Sequence, residues 1–338
     1  MIAPGLARSF AGKRVLITGG LGFIGSALAR ELVEAGSSVI LVDSLVPEYG
    51  GSLHNIAGIE DLVRVNISDV RDEHSLRHLV RGQDFLFNLA GQTSHLDSME
   101  NPYTDLEINC RSQLSILESC RRNNPEVRIV FASTRQVYGR PEYLPVDEGH
   151  RLTPVDVNGI NKLAGEWYHL LYGDVYGIPV CVLRLTNTYG PRMRVKDARQ
   201  TFLGYWFRQL LSGEELLVFG DGKQRRDFNY VEDVVRAFLL AATRDEAIGQ
   251  IYNLGHSEVV SLGELAELLV GLDPHGPQYR LVPFPSDRKL IDIGDYYADF
   301  TKIRRELDWT PAVSLAEGLV HSLDFYREHR DHYWSTGV

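Results

Sequence analysis

The sequence predicts an α/β fold, in which a doubly wound parallel sheet carries a smaller α/β lobe interleaved into its C-terminal part. Short apolar segments alternate with helical patterns from residue 14 to residue 185, and continuous apolar strands are typical of a parallel sheet covered by helices on both faces. A glycine-rich turn joins the first strand to the first helix. Beyond residue 185 the alternation loosens, which indicates the second lobe.

The glycine-rich turn follows the apolar segment 14–18 and contains Gly19, Gly22 and Gly25. A helical pattern with apolar residues four positions apart comes next, and Gly36 marks its predicted end. Glycines at these positions allow a tight turn, close approach of backbone N–H groups to a pyrophosphate, and close packing of the helix on the strand. The turn therefore predicts a dinucleotide-binding site.

A carboxylate ends the second predicted strand. Asp43 follows the apolar segment 39–42 and lies 18 residues beyond Gly25. At this position a carboxylate accepts hydrogen bonds from the two hydroxyls of an adenosine ribose. Its charge would repel a 2′-phosphate, so the sequence favours NAD over NADP.

Four further strands and three helices are predicted before residue 186. The strands cover 62–65, 85–90, 127–133 and 179–185, and the helices cover 72–81, 104–122 and 155–172. Thr153 and Pro154 are predicted to cap and begin the last of these helices. Because ligands bind at the carboxyl ends of parallel strands, Asp69, Gly91 and Thr134 are candidates for the functional site.

The second lobe is interleaved with the first, and no linker separates them. The predicted elements are a helix from about residue 202, a strand at 216–219, a turn at 219–228, an irregular proline-rich segment at 274–285 and a terminal helix at 314–329. The helix predicted at 230–243 returns to the main sheet. We therefore assign 1–185 and 230–256 to the dinucleotide-binding domain, and 186–229 and 257–338 to the substrate lobe.

Composition argues against several classes of partner. A formal net charge of −10 argues against nucleic acids and anionic membranes. Cys110, Cys120 and Cys181 lack metal-ligand spacing, so free thiols and no metal site are expected. No apolar run approaches the roughly 20 residues of a membrane span, and residues 1–13 lack a signal-peptide core. The sequence thus predicts a cytoplasmic protein.

Motifs along nearly the whole chain resemble one family. In order, they are the glycine turn at 19–25, Asn88-Leu89-Ala90-Gly91-Gln92, Asn109, Ser133-Thr134, Lys162, Asn187-Thr188-Tyr189-Gly190-Pro191-Arg192 and Arg226-Asp227-Phe228. Together they resemble the extended short-chain dehydrogenases/reductases of the nucleotide-sugar epimerase and dehydratase group, which are similar to UDP-glucose 4-epimerase. The resemblance implies a Rossmann fold, a tightly bound NAD that is regenerated in each cycle, and a nucleoside diphosphate sugar as substrate.

The resemblance and the glycine turn together assign a cofactor pocket at the carboxyl ends of the strands. Its predicted residues are Gly19, Gly22, Phe23, Ile24, Gly25, Asp43, Ser44, Asp69, Val70, Leu89, Ala90, Gly91 and Lys162.

The candidate catalytic residues follow from the chemistry of alcohol oxidation, which needs a base for the hydroxyl proton and a nicotinamide face for the hydride. In the family, a Ser or Thr at a strand end works with a Tyr and a Lys on one helix. Thr134 and Lys162 match the Thr and the Lys, whereas Asn158 stands in the position of the Tyr. An amide cannot act as a base. Three alternatives are a relay from Thr134 through water to Lys162, another base, and slow or absent redox chemistry. The best substitute base is His95, which lies just beyond a strand end, because histidine exchanges protons near neutral pH.

The two residues after Thr134 bear on the type of reaction. Related 4,6-dehydratases place Asp-Glu there and related decarboxylases carry Glu at the second position, whereas this chain has Arg135 and Gln136. Neither side chain exchanges protons near neutral pH, so the sequence favours epimerisation through a keto-sugar. Dehydration or decarboxylation is the runner-up, and a catalytically silent protein that binds NAD and a nucleotide sugar is the alternative of another class. Arg135 is also a candidate for contact with a sugar substituent such as a carboxylate.

Substrate contacts are expected from both lobes. Asn187 and Arg226 resemble family residues that contact the diphosphate, Arg226 through a charge-assisted hydrogen bond. Another family arginine is absent, because Asp292 stands in its place, and Arg288 or Lys289 is expected to compensate. The full set of predicted substrate contacts is Gln92, Ser94, Thr134, Arg135, Gln136, Asn187, Arg226 and Arg288.

The predicted helices 104–122 and 155–172 carry more apolar surface than one sheet would cover. In the family these helices pair across a two-fold axis in a four-helix interface, so the resemblance implies a homodimer. Ordinary core packing would explain the same apolar stripes.

Overall fold

A central sheet of parallel strands organises the computed structural model, which describes residues 3–46, 49–198, 201–273 and 276–334. Twelve strands lie in this described part of the chain: β1 (Arg14–Thr18), β2 (Ser38–Asp43), β3 (Val63–Ile67), β4 (Phe85–Asn88), β5 (Arg128–Thr134), β6 (Val180–Leu185), β7 (Asn187–Tyr189), β8 (Leu216–Phe219), β9 (Arg225–Tyr230), β10 (Ile251–Asn253), β11 (Val259–Ser261) and β12 (Tyr279–Val282).

The central sheet has the strand order β10-β6-β5-β4-β1-β2-β3, and every neighbouring pair is parallel. The chain runs outward from β1 to β3 and then restarts at β4 on the other side of β1, where Thr18 is paired with Val42 on one side and Asn88 on the other. A crevice opens at this reversal, outside the carboxyl ends of the strands. The doubly wound Rossmann-like fold predicted from the sequence is confirmed.

The α-helices are α1 (Pro4–Arg8), α2 (Phe23–Glu34), α3 (Glu73–Leu79), α4 (His95–Glu100), α5 (Pro102–Leu106), α6 (Ser112–Asn123), α7 (Val157–Tyr176), α8 (Phe202–Leu211), α9 (Val231–Thr243), α10 (Leu262–Gly271), α11 (Ser286–Lys289), α12 (Thr301–Leu307), α13 (Leu315–Glu328) and α14 (Arg330–Tyr333). Short 3₁₀ turns cover Leu53–Ile56, Glu60–Leu62, Arg135–Tyr138 and Asp245–Ala247. Within the described residues, no helix has the length and apolar character needed to cross a membrane.

Helices cover the central sheet on both faces. On one face α2 and α9 pack on the strands and on each other, around buried residues such as Leu28 and Phe238. On the other face α3, α6 and α7 pack around residues such as Ile116 and Leu117. Because both faces are buried, the strands need continuous apolar sequences, which is the pattern that predicted them.

The second lobe contains two small sheets. One has the order β11-β9-β7 and the other pairs β12 with β8. Two predictions for this region are wrong: the end of the predicted turn belongs to strand β9, and the segment predicted to be irregular contains strand β12. Strand β9 is polar in sequence and is stabilised by pairing with β7, while β12 exists only through its pairing with the distant β8. Residues 274–275 of the latter segment lie outside the described residues.

Two helical predictions also need correction. The helix predicted at 104–122 is interrupted by a π-helical turn, Glu107–Arg111, in which Asn109 points its amide inward. Helix α7 is capped by Asp156, whose carboxylate accepts the N–H of Gly159, and the predicted Thr153 cap is wrong. The Thr153 hydroxyl instead donates to the carbonyl of Tyr138.

The last helix contacts the region of the glycine turn. The Tyr333 hydroxyl donates to Oδ1 of Asn55 at 2.7 Å, and Nδ2 of Asn55 donates to the carbonyl of Leu21 at 2.8 Å. The C-terminal end of the described chain thus supports the turn that follows β1.

Candidate active site

A cavity of about 1040 Å³ extends from the glycine turn, along the carboxyl ends of the central strands, into the second lobe. Every residue predicted for the cofactor pocket and every candidate catalytic residue lines it. Of the predicted substrate contacts, Gln92 and Ser94 do not line the cavity. Gln92 is buried and donates its amide to the carbonyl of Ser94, and the Ser94 hydroxyl caps helix α4. These two residues support the wall of the cavity.

The glycine turn has almost no room for side chains. A Cβ on Gly25 would lie 2.2 Å from the carbonyl oxygen of Gly19, and Gly19 itself has a φ of +69°. Helix α2 begins after Gly22, and no side chain caps it. Its first-turn N–H groups are therefore open to an anion at the positive end of the helix.

Two carboxylates lie on the side of the cavity formed by β2 and β3. Asp43 accepts the backbone N–H groups of Leu21 and Leu45, at 3.1 and 2.9 Å. Burial raises the pKa of Asp43, and these backbone hydrogen bonds oppose the rise. Asp69 is held by Arg71, whose guanidinium keeps the pKa of Asp69 below its ordinary value. Arg71 also lines the cavity, although the sequence analysis did not single it out.

Lys162 is buried where β4 and β5 end. Its Nζ donates to the carbonyl of Ala132 at 3.1 Å and lies 5.1 Å from the centre of the Phe131 ring. A Cβ on Gly91 would lie only 2.9 Å from Nζ, so the glycine makes room for the ammonium group. Burial lowers the pKa of Lys162 to about 8, and the charges of Asp105 and Glu166 oppose this shift.

Thr134 ends β5 and is linked to His95 by a chain of polar contacts. The Thr134 hydroxyl accepts the N–H of Gln136, and the Gln136 amide donates to Oδ2 of Asp156 at 2.7 Å. The same oxygen lies 2.9 Å from Nδ1 of His95. Burial alone would raise the pKa of Asp156, but hydrogen bonding and attraction to His95 lower it. A buried carboxylate thus lies against an imidazole at the cavity wall.

Asn158 is part of a buried amide cluster around Asp105. Its Nδ2 donates to the carbonyl of Gln92 at 2.8 Å and to Oδ2 of Asp105 at 3.1 Å. Nδ2 of Asn109 also donates to Oδ2 of Asp105, and Nδ2 of Asn161 donates to Oδ1. Both N–H donors of the Asn158 amide are therefore used within the protein.

Tyr138 is excluded as a base by its surroundings. It is fully buried, its hydroxyl donates to Asn253, and it accepts a hydrogen bond from Arg184. Burial raises the pKa of Tyr138 to about 12. Arg184 in turn forms a buried ion pair with Glu166 at 2.6 Å.

Two arginines, one from each lobe, line the cavity next to Asn187 or Asp292. Arg135 donates to Oδ1 of Asn187 at 3.0 Å and lies over the Tyr296 ring. Arg226 is buried, donates to the carbonyl of Gly294, and lies 3.8 Å from Asp292. Burial and the nearby charge of Arg135 lower the pKa of Arg226 to about 9. Asn187, Arg226 and Arg135 therefore line the same part of the cavity, and the contact of Asn187 and Arg226 with a diphosphate remains a prediction.

A family model described as the NAD dependent epimerase/dehydratase family matches residues 15–255 of this chain. The chain belongs to this family.

Curated relatives span several activities of the NAD dependent epimerase/dehydratase family. A Methanocaldococcus jannaschii protein provisionally named UDP-glucose 4-epimerase is 32% identical over 316 residues, covering 93% of this chain and 99% of the relative. The UDP-N-acetyl-alpha-D-glucosaminuronate decarboxylase of Bacillus cytotoxicus is 32% identical over 324 residues, covering 94% and 98%. Relatives of similar identity thus carry different activities.

Among solved structures, the UDP-glucose 4-epimerase of Thermus thermophilus in complex with NAD superposes with a TM-score of 0.83. It is 29% identical and the match covers 93% of this chain and 99% of that chain. As a member of an NAD-dependent family, this chain uses NAD as its cofactor.

The residues of the cavity fit that cofactor. The uncapped start of α2 would offer N–H groups to the pyrophosphate, Asp43 would offer carboxylate oxygens to the adenosine ribose, and Lys162 would offer an ammonium group near the carboxyl ends of β4 and β5. When bound, NAD supplies a nicotinamide ring that accepts and returns a hydride.

Helix α8 was predicted from the sequence, but no role was predicted for its aromatic residues. Part of the cavity is lined by aromatic residues that lie far from the glycine turn along the chain. They are Phe202, Tyr205 and Trp206 of α8, together with Phe219 and Phe284. Aromatic rings at positions i, i+3 and i+4 were a visible pattern, but core packing explains such a pattern equally well in a sequence. Only the fold shows that this helix face borders the cavity.

Proposed function

We propose that this protein is an NAD-dependent nucleotide-sugar epimerase that acts through a transient keto-sugar. The supporting observation is the set of side chains around Thr134. Lys162 supplies a cation, whereas Arg135 and Gln136, which line the same cavity, supply neither a carboxylic acid nor a carboxylate for elimination. The Gln136 amide is moreover engaged with Asp156. Epimerisation needs only removal and return of a hydride and a proton.

In the proposed reaction, the hydroxyl proton of the sugar passes to a base while its carbon gives up a hydride. The Thr134 hydroxyl hydrogen-bonds the reacting oxygen, and the Lys162 ammonium stabilises the negative charge that develops there. The keto-sugar then rotates in the cavity so that its opposite face receives the hydride, while the base returns the proton. The net change is inversion of one carbon, with no atoms gained or lost.

The proposed base is His95, positioned by Asp156. Nδ1 of His95 faces the buried carboxylate at 2.9 Å, which leaves Nε2 as the nitrogen that can exchange a proton with substrate or water. Asn158 has a different proposed role: it holds Asp105 and the Gln92 carbonyl and so positions the segment before His95.

Product analysis tests this function. Purified protein is incubated with UDP- and dTDP-linked glucose, N-acetylglucosamine and glucuronic acid, and products are identified by NMR. Epimerisation predicts a product of unchanged mass with one inverted carbon. Loss of water would indicate a dehydratase, loss of carbon dioxide would indicate a decarboxylase, and either result would overturn the proposal.

Substitution of His95 tests the base. His95→Asn is expected to slow reduction of bound NAD, followed by near-ultraviolet absorbance after substrate is added, by about 100-fold or more. Affinity for the nucleotide sugar is expected to be unchanged. His78→Asn, which changes an exposed histidine on α3 remote from the cavity lining, is the control. Equal rates in His95→Asn and wild type would contradict the assignment.

A catalytically silent binding protein is the second candidate. The observation that favours it is Asn158, because both of its N–H donors are used in structural contacts and no tyrosine occupies that position. This candidate predicts tight binding of NAD and nucleotide sugar with no NAD reduction. Replacing Thr134 by Val would then change nothing measurable, whereas an epimerase would lose turnover.

We also propose a homodimer formed through α7 and the helices beside it. An apolar stripe runs along the solvent side of α7, where Ile160, Trp167, Leu171 and Val175 are each at least half exposed. Tyr103 on α5 is 79% exposed nearby in the same helical layer, which packs against α7. Pairing two such faces in a four-helix arrangement would remove this apolar area from water.

A further inference from the structure

We propose that Arg135 binds a carboxylate carried by the sugar, so that the substrate is a nucleoside diphosphate ester of an acidic sugar. This inference rests on the proposed nucleotide-sugar function and names the class of sugar. It concerns a residue that the proposed epimerisation does not itself require.

Arg135 is located next to the place where the sugar would lie. It directly follows Thr134, beside the proposed reacting carbon, and its guanidinium reaches Asn187, beside Arg226. A diphosphate held at Arg226 and a reacting carbon held at Thr134 leave the sugar ring between them. The guanidinium of Arg135 therefore borders the sugar.

The second step is the lack of a protein anion for this cation. Within the described residues, no carboxylate lies within ion-pair distance of Arg135, and its one hydrogen bond goes to the neutral amide of Asn187. Arg135 itself lines the cavity. A partly buried guanidinium with open donors is suited to bidentate binding of a carboxylate.

The third step is that the nearby carboxylates already have partners. Asp227 accepts from the Thr186 hydroxyl and the N–H of Ala298. Asp292 accepts from Gln224 and faces Arg226, and Asp156 faces His95. Burial lowers the pKa of Arg135. Interactions with Tyr296 and with these acids raise it again only in part, so the pKa stays below its ordinary value. An anionic ligand would supply the missing compensation.

The fourth step concerns orientation. Oδ1 of Asn187 accepts from Arg135 while its Nδ2 donates to the carbonyl of Asp227, and the guanidinium packs on the Tyr296 ring. Two contacts thus fix the plane of the guanidinium before any ligand arrives. A guanidinium whose two parallel N–H donors are already oriented binds a planar carboxylate in preference to a sugar hydroxyl.

Calorimetric titration of the NAD-loaded protein tests the inference with two matched pairs of probes. The first pair is UDP-glucose and UDP-glucuronic acid, and the second pair is UDP-N-acetylglucosamine and UDP-N-acetylmuramic acid. UDP alone measures the contribution of the nucleotide. A parallel series uses dTDP, dTDP-glucose and dTDP-glucuronic acid. We expect at least one acidic sugar to bind about 10- to 100-fold more tightly than its neutral partner.

Substitution then assigns the preference to its residue. Arg135→Gln is expected to abolish the preference for the acidic sugar while leaving the affinity for UDP or dTDP unchanged. Arg135→Lys is expected to keep part of the preference for the acidic sugar, because the positive charge remains but the two parallel N–H donors of the guanidinium are lost. Arg225→Gln removes an exposed arginine outside the cavity lining and is expected to change nothing.

Two outcomes overturn the inference while leaving the proposed function intact. One is equal affinity for the acidic and neutral members of both pairs. The other is an equal loss for nucleotide, neutral sugar and acidic sugar in Arg135→Gln, which would assign Arg135 to the diphosphate. If no nucleotide or nucleotide sugar binds at all, the proposed function fails and this inference fails with it.

Discussion

Lys162 shows how one buried cation sets a pH dependence. Its ammonium group is buried and donates to a backbone carbonyl, and burial lowers its pKa to about 8 from an ordinary 10.5. Folding therefore favours the neutral amine. Between these two pH values the unfolded chain holds a proton that the folded protein has lost, so this group makes the folded state more stable as pH rises.

We predict that Lys162→Met removes this component of the pH dependence. In wild type, Lys162 should add about 3 kcal/mol to the free energy of unfolding between pH values near 8 and 10.5. Urea denaturation of both proteins at several pH values in this range measures the difference. Lys223→Met, which changes an exposed lysine, is the control. Parallel curves for wild type and Lys162→Met would contradict the prediction.

At the residue scale, the sequence predicted types of side chain better than their partners. The candidate catalytic residues Thr134, Lys162 and His95 all line the cavity, and their catalytic roles remain a prediction. The partners of Asn158 could not be predicted, because Gln92 and Asp105 come from segments more than 50 positions away. A buried carboxylate surrounded by amides leaves no periodic pattern in a sequence.

At the scale of elements, the start of α7 joins helix stability to the proposed chemistry. Asp156 caps the helix through the N–H of Gly159, and its other oxygen faces His95 and Gln136. The same helix carries Asn158 and Lys162. One carboxylate thus caps the helix and lies against the imidazole.

We predict that two substitutions of Asp156 separate these roles. Asp156→Asn keeps a good capping side chain but loses the charge that faces His95, so turnover should fall and its pH profile should shift while Tm stays close to wild type. Asp156→Ala should in addition lose about 1 kcal/mol of stability or more. Thermal unfolding and turnover measured across pH provide the readouts. Wild-type turnover and pH profile in Asp156→Asn would contradict the positioning role.

The glycine turn between β1 and α2 gives a second prediction at this scale. Gly25→Ala would place a Cβ 2.2 Å from the carbonyl oxygen of Gly19, so the helix must move away from the turn. We expect loss of bound NAD and a decrease of about 1 to 3 kcal/mol in the free energy of unfolding. Gly271→Ala, at a helical glycine with open space around it, should leave both unchanged. NAD content after purification and urea denaturation measure the effects; full NAD occupancy in Gly25→Ala would contradict the prediction.

The elements that were predicted correctly from the sequence are those whose formation depends on residues close together in the chain. Continuous apolar strands and the glycine turn depend on residues close together in the chain, and the structure confirms them. Strands β9 and β12 were missed because their stability comes from pairing with β7 and β8, far away in sequence. The π-helical turn was missed because it depends on what Asn109 contacts across the cavity wall.

At the scale of the whole molecule, the sheet reversal and the second lobe form one cavity from distant segments. The sequence predicted an interleaved second lobe, and the boundaries 1–185, 186–229, 230–256 and 257–338 remain a prediction. The two small sheets of the second lobe, and the position of α8 at the cavity, depend on contacts between distant segments that no local sequence pattern specifies. This is why the substrate end of the cavity was predicted less completely than the cofactor end.

The exposed face of α7 gives a prediction about assembly. If two copies pair through this face, Trp167→Glu combined with Leu171→Glu should convert a dimer into a monomer, because burying carboxylates without partners is costly. Light scattering after size exclusion measures the mass. Leu268→Glu, on the exposed side of α10, is the matched control and should leave the mass unchanged. A wild-type protein that is already monomeric would contradict the proposed interface.

The contact between Tyr333 and Asn55 has a consequence for how the protein matures on the ribosome. Asn55 holds the carbonyl of Leu21 in the glycine turn, and the hydroxyl that braces Asn55 comes almost 280 residues later. The nucleotide-binding half is translated first, yet one of its supports is among the last parts of the described chain to be made. A nascent chain stalled before residue 333 should therefore capture NAD less tightly than the released protein, even though every residue predicted to contact the cofactor has already emerged.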